Sequence, residues 1–242
     1  MFDKVIEFSA DKEYLKNKDL LPKPCKLNIP DWYKNLEHRA DNKTIKGCIP
    51  FLDTLTSGYI LKIPTDIILR HNVDEGGEKA TQMVSMLQPN DINLNDNQIP
   101  QVHPVSQVSK ECPFVHKNKS LPFQKILNPW FIKTPPGYSC VFLPPMNNQD
   151  DRFSIIPGIV DTDKHEIFIN FPIIVNGDKY PVLNTVLKKG TPYVQVFPFK
   201  RDSWKHKILS TDKIQMKTKH ENYQLDFIFN YKYKFWNKKS YK

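Results

Sequence analysis

Glycine is scarce in this chain, with eight glycines among 242 residues. None of the glycine patterns that bind phosphate or expose a nucleophile is present: the Walker loop GxxxxGK[ST], the dinucleotide fingerprint GxGxxG and the elbow GxSxG are all missing. No glycine follows Gly190. The chain therefore lacks the sequence signatures of P-loop nucleotide hydrolases, Rossmann dehydrogenases and α/β hydrolases.

Cysteine and long apolar runs are also scarce. The cysteines form no CxxC pair, which argues against a zinc ribbon and favours reduced, packed thiols in a cytoplasm-like compartment. No apolar run approaches the roughly eighteen residues of a membrane helix, and the N-terminus lacks the apolar stretch of a secretory signal. We therefore expect a cytoplasmic protein without a membrane span. The four cysteines are Cys25, Cys48, Cys112 and Cys140.

The formal net charge of +9 is concentrated in one segment. Residues 200–242 contain twelve Lys/Arg and four Asp/Glu, whereas the preceding 199 residues contain 23 and 22. This tail predicts a nucleic-acid partner, because aromatic rings stack on bases while lysines contact phosphates. The alternative is that the aromatic rings anchor the tail and the lysines form a solvated face. The residues concerned are Tyr223, Phe227, Phe229, Tyr231, Tyr233, Phe235 and Trp236, with Lys232, Lys234, Lys238 and Lys239.

Twenty prolines divide the chain into short segments. Short apolar runs bounded by Pro, Gly, Asn and Asp are typical of strands, and a hydrophobic content of 39% suffices for a core. We therefore predict a mainly β fold, a single barrel-like or double-sheet domain with a short helical N-terminal arm and a basic C-terminal extension. The predicted strands are Tyr59–Ile63, Ile67–Arg70, Gln82–Leu87, Trp130–Thr134, Ser139–Leu143, Phe153–Val160, Glu166–Val175, Val182–Lys188 and Tyr193–Pro198.

The chain divides into three consecutive parts on these signals. Residues 1–46 form the N-terminal arm, in which Pro30 followed by Asp31 predicts the start of a helix. Residues 47–201 form the β-rich core domain, and residues 202–242 form the basic aromatic extension. The polar stretch Asn90–Gln101 is expected to be an exposed loop.

Two acids lie in a turn between apolar runs, in the sequence Gly158-Ile-Val-Asp-Thr-Asp163. Asp favours turns because its side chain bonds to nearby backbone N–H groups, so a hairpin turn is one interpretation. Two neighbouring carboxylates also shift each other's pKa and can serve acid–base chemistry. Asp161 and Asp163 are therefore the candidate catalytic residues.

Residues 132–199 resemble the β-barrels of the dUTPase and dCTP deaminase superfamily. The resemblance lies in the Gly158–Asp163 turn, in Lys189–Val196 and in the Thr134–Tyr138 turn. It implies that Asp161 orients the attacking water and contacts the sugar. The ligand-binding residues expected with it are Gln195, Tyr193, Asn147 and Arg152. The chain departs from the family at residues 144–147, where an Arg-Ser-Gly motif is expected, and in having no glycine-rich C-terminal lid.

The whole chain also resembles an uncharacterised family of phage and bacterial proteins, which implies no established activity. On this basis we expect a phage-type accessory protein, located in the host cytoplasm, that binds a nucleotide or another small anionic ligand. The segments that carry the resemblance are Ile29–Leu36, Lys46–Ile67, Asn128–Asn147, Gly158–Asp163 and Lys188–Trp204.

Two other functions stay open. A partner-binding structural protein would use its surface, and a homo-oligomer is one form of it. A metal-dependent oxygenase on a double-stranded β-helix needs two histidines and a carboxylate, which the sequence does not place at the usual spacing. The residues weighed for it are His71 with Asp74, His165 with Glu166, and the isolated His103, His116 and His206. The sequence identifies no cofactor and no metal ligand set.

Overall fold

The computed structural model describes residues 4–39, 41–73, 80–86, 102–147, 150–211, 216–217 and 231–242. The chain divides into two compact units, each built from two separate segments. The first unit contains Met1–Lys23 and Gly58–Lys200, and the second contains Pro24–Ser57 and Arg201–Lys242. Within these described ranges, no helix combines the length and the apolar character needed to cross a bilayer.

The first unit is built from antiparallel strands and two short helices. Strand β2 (Lys23–Pro24) lies where the chain passes to the second unit. The strands of the first unit are β1 (Glu7–Ser9), β3 (Tyr59–Lys62), β4 (Ile67–Asn72), β5 (Thr81–Met86), β6 (Val102–His103), β7 (Phe123–Ile126), β8 (Phe131–Lys133), β9 (Tyr138–Leu143), β10 (Phe153–Ile155), β11 (Gly158–Val160), β12 (Phe171–Val175), β13 (Val182–Leu187) and β14 (Pro192–Lys200). The helices are α1 (Lys12–Lys16) and α4 (Pro113–Lys117).

These strands form two principal sheets and two smaller ones. The main sheet has the order β11-β9-β14-β3 within the first unit, and the second sheet has the order β10-β12-β7-β6. Strands β13, β4 and β5 form a three-stranded sheet, and β1 pairs with β8. Because the main and second sheets each end in open edges, the double-sheet alternative of the predicted mainly β fold is confirmed, and the described strands do not close into a barrel.

The two principal sheets share one hydrophobic core. The ring of Phe142 on β9 lies 5.4 Å from that of Phe171 on β12, and Phe171 meets the Tyr193 ring edge-on at 5.7 Å. Ile155 and Ile173, on paired strands of the second sheet, are also fully buried in this core. Removing such large apolar side chains from water is the main stabilising contribution to a sheet pair of this kind.

Most predicted strands are confirmed, but one splits, one is shorter, and four short strands, β1, β2, β6 and β7, were not predicted. The segment predicted as Phe153–Val160 splits into β10 and β11, because the chain leaves the second sheet at Ile156 and enters the main sheet at Gly158. The strand predicted as Glu166–Val175 begins only at Phe171. Strand β7 was not predicted, because Gln124 and Lys125 interrupt its apolar pattern.

Short helices are the main regular structure in the described parts of the second unit. Helix α2 (Asp31–Lys34) starts directly after Pro30, as predicted, and α3 (Ile49–Thr56) starts after Cys48. The rings of Trp32, Tyr33 and Phe51 pack together at 5.6–6.0 Å between centroids. These aromatic contacts join the two helices.

The C-terminal segment of the second unit is tied to helix α3 by one carboxylate. The Trp236 indole N–H donates to both Asp53 carboxylate oxygens at 3.1 and 3.2 Å, and the Lys239 ammonium donates to one of them at 2.6 Å. Trp236 therefore anchors the C-terminal segment. This is the role that the alternative interpretation of the basic tail gives to its aromatic rings. The contact with Lys239 also shows that one tail lysine is paired with an acid.

Candidate functional site

Tyr193 is the extra residue of a β-bulge in β14. The register of β14 against β3 pairs Pro192 with Lys62 and Val194 with Leu61, so Tyr193 has no partner residue. Four consecutive side chains are buried here, Tyr193, Val194, Gln195 and Val196, because β14 is a central strand with both faces covered. Bulges often re-aim side chains beside functional sites.

The Tyr193 hydroxyl is buried and has no hydrogen-bond partner in the described part of the protein. The side chain is 1% exposed, and burial raises the pKa of the phenol well above its ordinary value. A buried hydroxyl without a partner is uncommon in folded proteins, because desolvating it costs free energy that no bond restores. The position therefore calls for a ligand or a water that bonds to it.

The loop after β9 forms a wall beside this tyrosine. Gln195 is buried on the opposite face of β14 from Val194 and Val196, as predicted, and its side-chain oxygen accepts a hydrogen bond from the Met146 backbone N–H at 2.9 Å. The next residue, Asn147, has a φ of +59°, a left-handed conformation that asparagine tolerates better than most residues. Gln195 thus fixes the loop rather than lining the cleft beside it.

A small cleft lies between this loop, β10 and the start of β14, and we call it the Tyr193 cleft. Its volume is about 130 Å³, roughly that of four water molecules in the liquid or of one six-membered heterocycle. The apolar part of its lining is rich in proline, which leaves few backbone donors. The lining residues are Pro144, Pro145, Asn147, Asp150, Phe153, Ser154, Pro192 and Tyr193.

A second cleft adjoins the first and shares Asp150, Phe153 and Ser154 with it. We call it the Lys117 cleft, and its volume is about 120 Å³. It draws residues from α4, from β10 and from the end of β12, three elements far apart in sequence. The lining residues are Lys117, Asp150, Asp151, Phe153, Ser154, Ile174 and Asn176.

Two ion pairs neutralise the acids of these clefts. The Arg152 guanidinium donates to both oxygens of Asp150, at 2.9 and 2.8 Å, and to the Thr185 hydroxyl at 2.8 Å. The hydrogen bond with Asp150 raises the pKa of Arg152. Asp151 accepts from the Lys179 ammonium at 2.5 Å and from the Tyr180 hydroxyl at 2.6 Å, and these bonds lower the pKa of its carboxyl group.

The acids of the Gly158–Asp163 turn hold the turn together. The Ser139 hydroxyl donates to the Asp161 carboxylate at 2.6 Å, and the Gly137 backbone N–H donates to Asp163 at 2.8 Å. Between them Thr162 is fully buried, and its hydroxyl lies 2.7 Å from that of Thr134. These contacts link the turn to the Thr134–Tyr138 turn at the start of β9, which is a structural role for both carboxylates.

The predicted site residues are therefore divided between two places. Asn147 and Tyr193 line the Tyr193 cleft. Arg152 and Gln195 instead bind residues of its wall, Asp150 and the Met146 backbone respectively. Asp161 contacts Ser139 near the start of β9, whereas the cleft begins after Leu143, at the other end of that strand. Four residues of extended chain span about 13 Å. The predicted catalytic acids and the predicted ligand-binding residues do not line one cavity.

Asp150, Ser154, Lys117 and Asn176 were not predicted as site residues. The local signal for Asp150 was the polar run before Phe153, in which an acid pair precedes an arginine. Ser154, Lys117 and Asn176 belong to three different elements, and no local pattern in the sequence brings them together. Only the folded chain shows that they converge.

The histidines and cysteines form no metal cluster in the described ranges: no group of three His, Cys, Asp or Glu side chains there could hold a metal ion. His71 Nδ1 lies 3.1 Å from the Gln82 side-chain oxygen, and His103 Nδ1 lies 2.6 Å from that of Gln107. Asp74, the proposed partner of His71, lies outside the described residues, as do Asn90–Gln101 and three of the predicted nucleic-acid residues of the tail, Tyr223, Phe227 and Phe229. Burial raises the pKa of the Cys140 thiol to about 11, as expected for an inert thiol.

The second unit carries a wider depression of about 580 Å³, but its cations already have partners. Lys34 pairs with Asp31 at 2.9 Å, Arg39 pairs with Glu37 at 3.0 Å, and the Lys46 ammonium donates to two backbone carbonyls. The two clefts of the first unit therefore present the better binding geometry.

Comparison with protein families, with characterised proteins and with solved structures finds no match for this chain. Function must therefore be argued from the site itself.

Proposed function

We propose that this protein binds a small molecule with a planar polar ring, of the size of a nucleobase, in the Tyr193 cleft. The observation that carries the proposal is the Tyr193 hydroxyl, which is buried beside the cleft and has no hydrogen-bond partner among the described residues. A ligand group that bonds to this hydroxyl offsets its desolvation, so the site gains more from a polar ligand than from an empty or apolar one.

The composition of the cleft wall supports the same class of ligand. Phe153 and the three prolines of the lining offer flat apolar surfaces to the faces of a ring. Asn147, Ser154 and Tyr193 offer polar groups to its edges. The resemblance of residues 132–199 to nucleotide-processing β proteins favours the same ligand, and the phage origin of the chain stays a prediction.

The proposal is for binding and includes no hydrolytic step. Asp161 and Asp163 are occupied in holding a turn at the far end of β9, so the proposed ligand does not contact them. Isothermal titration calorimetry with deoxyuridine and deoxycytidine tests the proposal. We expect saturable binding of at least one nucleoside, and no heat of binding with either would contradict it.

The variant Tyr193→Phe sharpens this experiment. Losing one hydrogen bond weakens binding by about 3- to 10-fold. The free energy of unfolding stays unchanged or rises, because no described residue bonds to this hydroxyl. Equal affinities of the variant and the native protein for the nucleoside would show that the Tyr193 hydroxyl does not bond to the ligand. The variant Tyr33→Phe is a control that loses a hydroxyl in the second unit, where it donates to the Lys46 carbonyl at 3.3 Å.

One observation favours a second function, binding to a partner protein. Trp204 is 89% exposed and Ile208 is 90% exposed, on an extended segment that runs from Asp202 to Thr211 with every residue exposed. Exposed apolar side chains grouped on one short segment often mark a protein–protein contact. Light scattering of the native protein and of a Trp204→Ser, Ile208→Ser variant tests whether that contact is with a second copy. A monomer in both cases would exclude a homo-oligomer built on this segment.

A further inference from the structure

The Lys117 cleft presents hydrogen-bond donors that have no partner among the residues that the structure describes. We propose that it binds an oxyanion, the phosphate or carboxylate group of the same ligand whose ring lies in the Tyr193 cleft. This inference rests on the proposed function and adds the charge and the length of the ligand.

The donors come from three elements that meet at the cleft. Lys117 is in the last turn of α4, Ser154 is on β10, and Asn176 follows β12. Within the described residues, none of these three side chains has a hydrogen bond or an ion pair. An ammonium, a hydroxyl and a carboxamide together can donate several hydrogen bonds to one group of oxygens.

The acids beside the cleft do not exclude an anion, because each is neutralised by its own cation. Asp150 is held bidentately by Arg152, and Asp151 is bound by Lys179. Both arrangements direct the negative charge towards a neighbouring protein cation. Lys117 forms no ion pair within the described residues, and the acid that feels its charge, Asp178, is itself paired with Lys119. The cleft and these paired neighbours therefore carry a net charge of one positive unit.

The size and position of the cleft fit one anionic group attached to a ring. A volume of about 120 Å³ corresponds to roughly four water molecules, enough for a phosphate group or a carboxylate with a bridging water. Because Asp150, Phe153 and Ser154 line both clefts, the two compartments adjoin at β10. A ligand that spans them passes over the strand at Ser154.

Calorimetric titration with deoxyuridine, deoxyuridine 5′-monophosphate and inorganic phosphate tests this inference. We expect the monophosphate to bind about 10- to 100-fold more tightly than the nucleoside, as a charge-assisted hydrogen bond to an ammonium allows. In Lys117→Gln this preference disappears, while the affinity for the nucleoside stays the same. The control Lys133→Gln removes the same charge from an exposed position on β8 and keeps the preference.

The outcomes separate this inference from the function on which it rests. Equal affinity for nucleoside and monophosphate in the native protein would overturn the oxyanion site and leave the ring site standing. Binding of inorganic phosphate that depends on Lys117, without any binding of nucleoside, would support the oxyanion site and contradict the ring site. A preference for the monophosphate that survives Lys117→Gln would place the anion elsewhere.

Discussion

The Gln195 side chain and the Met146 backbone are joined by a 2.9 Å hydrogen bond that links a buried strand to the loop forming one wall of the Tyr193 cleft. Gln195 is 2% exposed, and its carboxamide oxygen accepts from the Met146 N–H. The bond fixes the loop that carries Asn147 in a left-handed conformation. The burial of a polar side chain, Gln195, in β14 is therefore explained by its hydrogen bond to this loop.

Replacing Gln195 with methionine tests this support. Methionine keeps the volume but leaves the Met146 N–H without its acceptor, which costs about 1–3 kcal/mol of unfolding free energy. We also expect weaker nucleoside binding, because the wall of the Tyr193 cleft is no longer fixed. Urea denaturation and calorimetry measure the two effects. Unchanged stability and unchanged affinity would show that the bond does not hold the loop.

The acid turn is predicted to be structural. Asp161→Ala removes the acceptor of the Ser139 hydroxyl and lowers the unfolding free energy by about 0.5–1.5 kcal/mol. Asp161→Asn keeps an acceptor oxygen and loses less. Neither variant changes nucleoside affinity, because the turn lies at the far end of β9 from the cleft. Release of pyrophosphate or ammonia from dUTP or dCTP by the native protein, abolished in Asp161→Ala, would contradict this account.

Two glycines with left-handed backbone conformations differ in what surrounds them. Gly58 has a φ of +78°, and a Cβ added there would lie 2.3 Å from the Val196 carbonyl oxygen; Gly137 has a φ of +85° with nothing within 4 Å. Gly137→Ala therefore costs only the conformational penalty of about 1–2 kcal/mol. Gly58→Ala costs about 1–3 kcal/mol more, because it forces β3 and β14 apart. Equal destabilisation of the two variants by thermal denaturation would contradict the close approach.

Stability is predicted to fall in mild acid because of His71. Its ring is 1% exposed, and Nε2 has no partner among the described residues. Burial, with a smaller contribution from Lys119, lowers the pKa of His71 below its ordinary value of 6.5. Below about pH 6.5 the unfolded chain binds more protons than the folded one, so the unfolding free energy decreases as the pH falls from 6.5 towards the lowered pKa.

The measurement is the melting temperature of the native protein and of His71→Gln between pH 7.5 and pH 5.5. We expect a smaller acid-induced decrease in the variant. The carboxyl groups with lowered pKa values, Asp66, Asp151 and Asp178, titrate below 3.8 and so act at lower pH. Parallel pH dependences in the two proteins would show that His71 is not responsible.

Local patterns in the sequence predict most of the strands, but not how they are shared between sheets. The run from Phe153 to Val160 is continuously strand-like, and only the folded chain shows that Pro157 separates a strand of one sheet from a strand of the other. The sequence also does not indicate that residues 24–57 and 201–242 belong to one unit. Local patterns divide a chain only into consecutive segments.

Only part of the candidate site was predicted, because the rest depends on contacts between segments that are far apart in the sequence. Asn147 and Tyr193 were both predicted as ligand-binding residues, and both line the cleft. The bulge at Tyr193 depends on pairing with β3, more than 130 residues earlier in the chain. Lys117 and Asn176 reach Ser154 only through tertiary packing, so the oxyanion compartment has no local signature.

The most direct test of the central claim is a map of backbone amide chemical shifts during titration with deoxyuridine 5′-monophosphate. We predict saturable shifts of the amides around Met146, Ser154 and Tyr193, with residues 161–164 unchanged. Shifts confined to residues 161–164, or no shifts at all, would contradict the assignment of ligand binding to the two clefts beside β10.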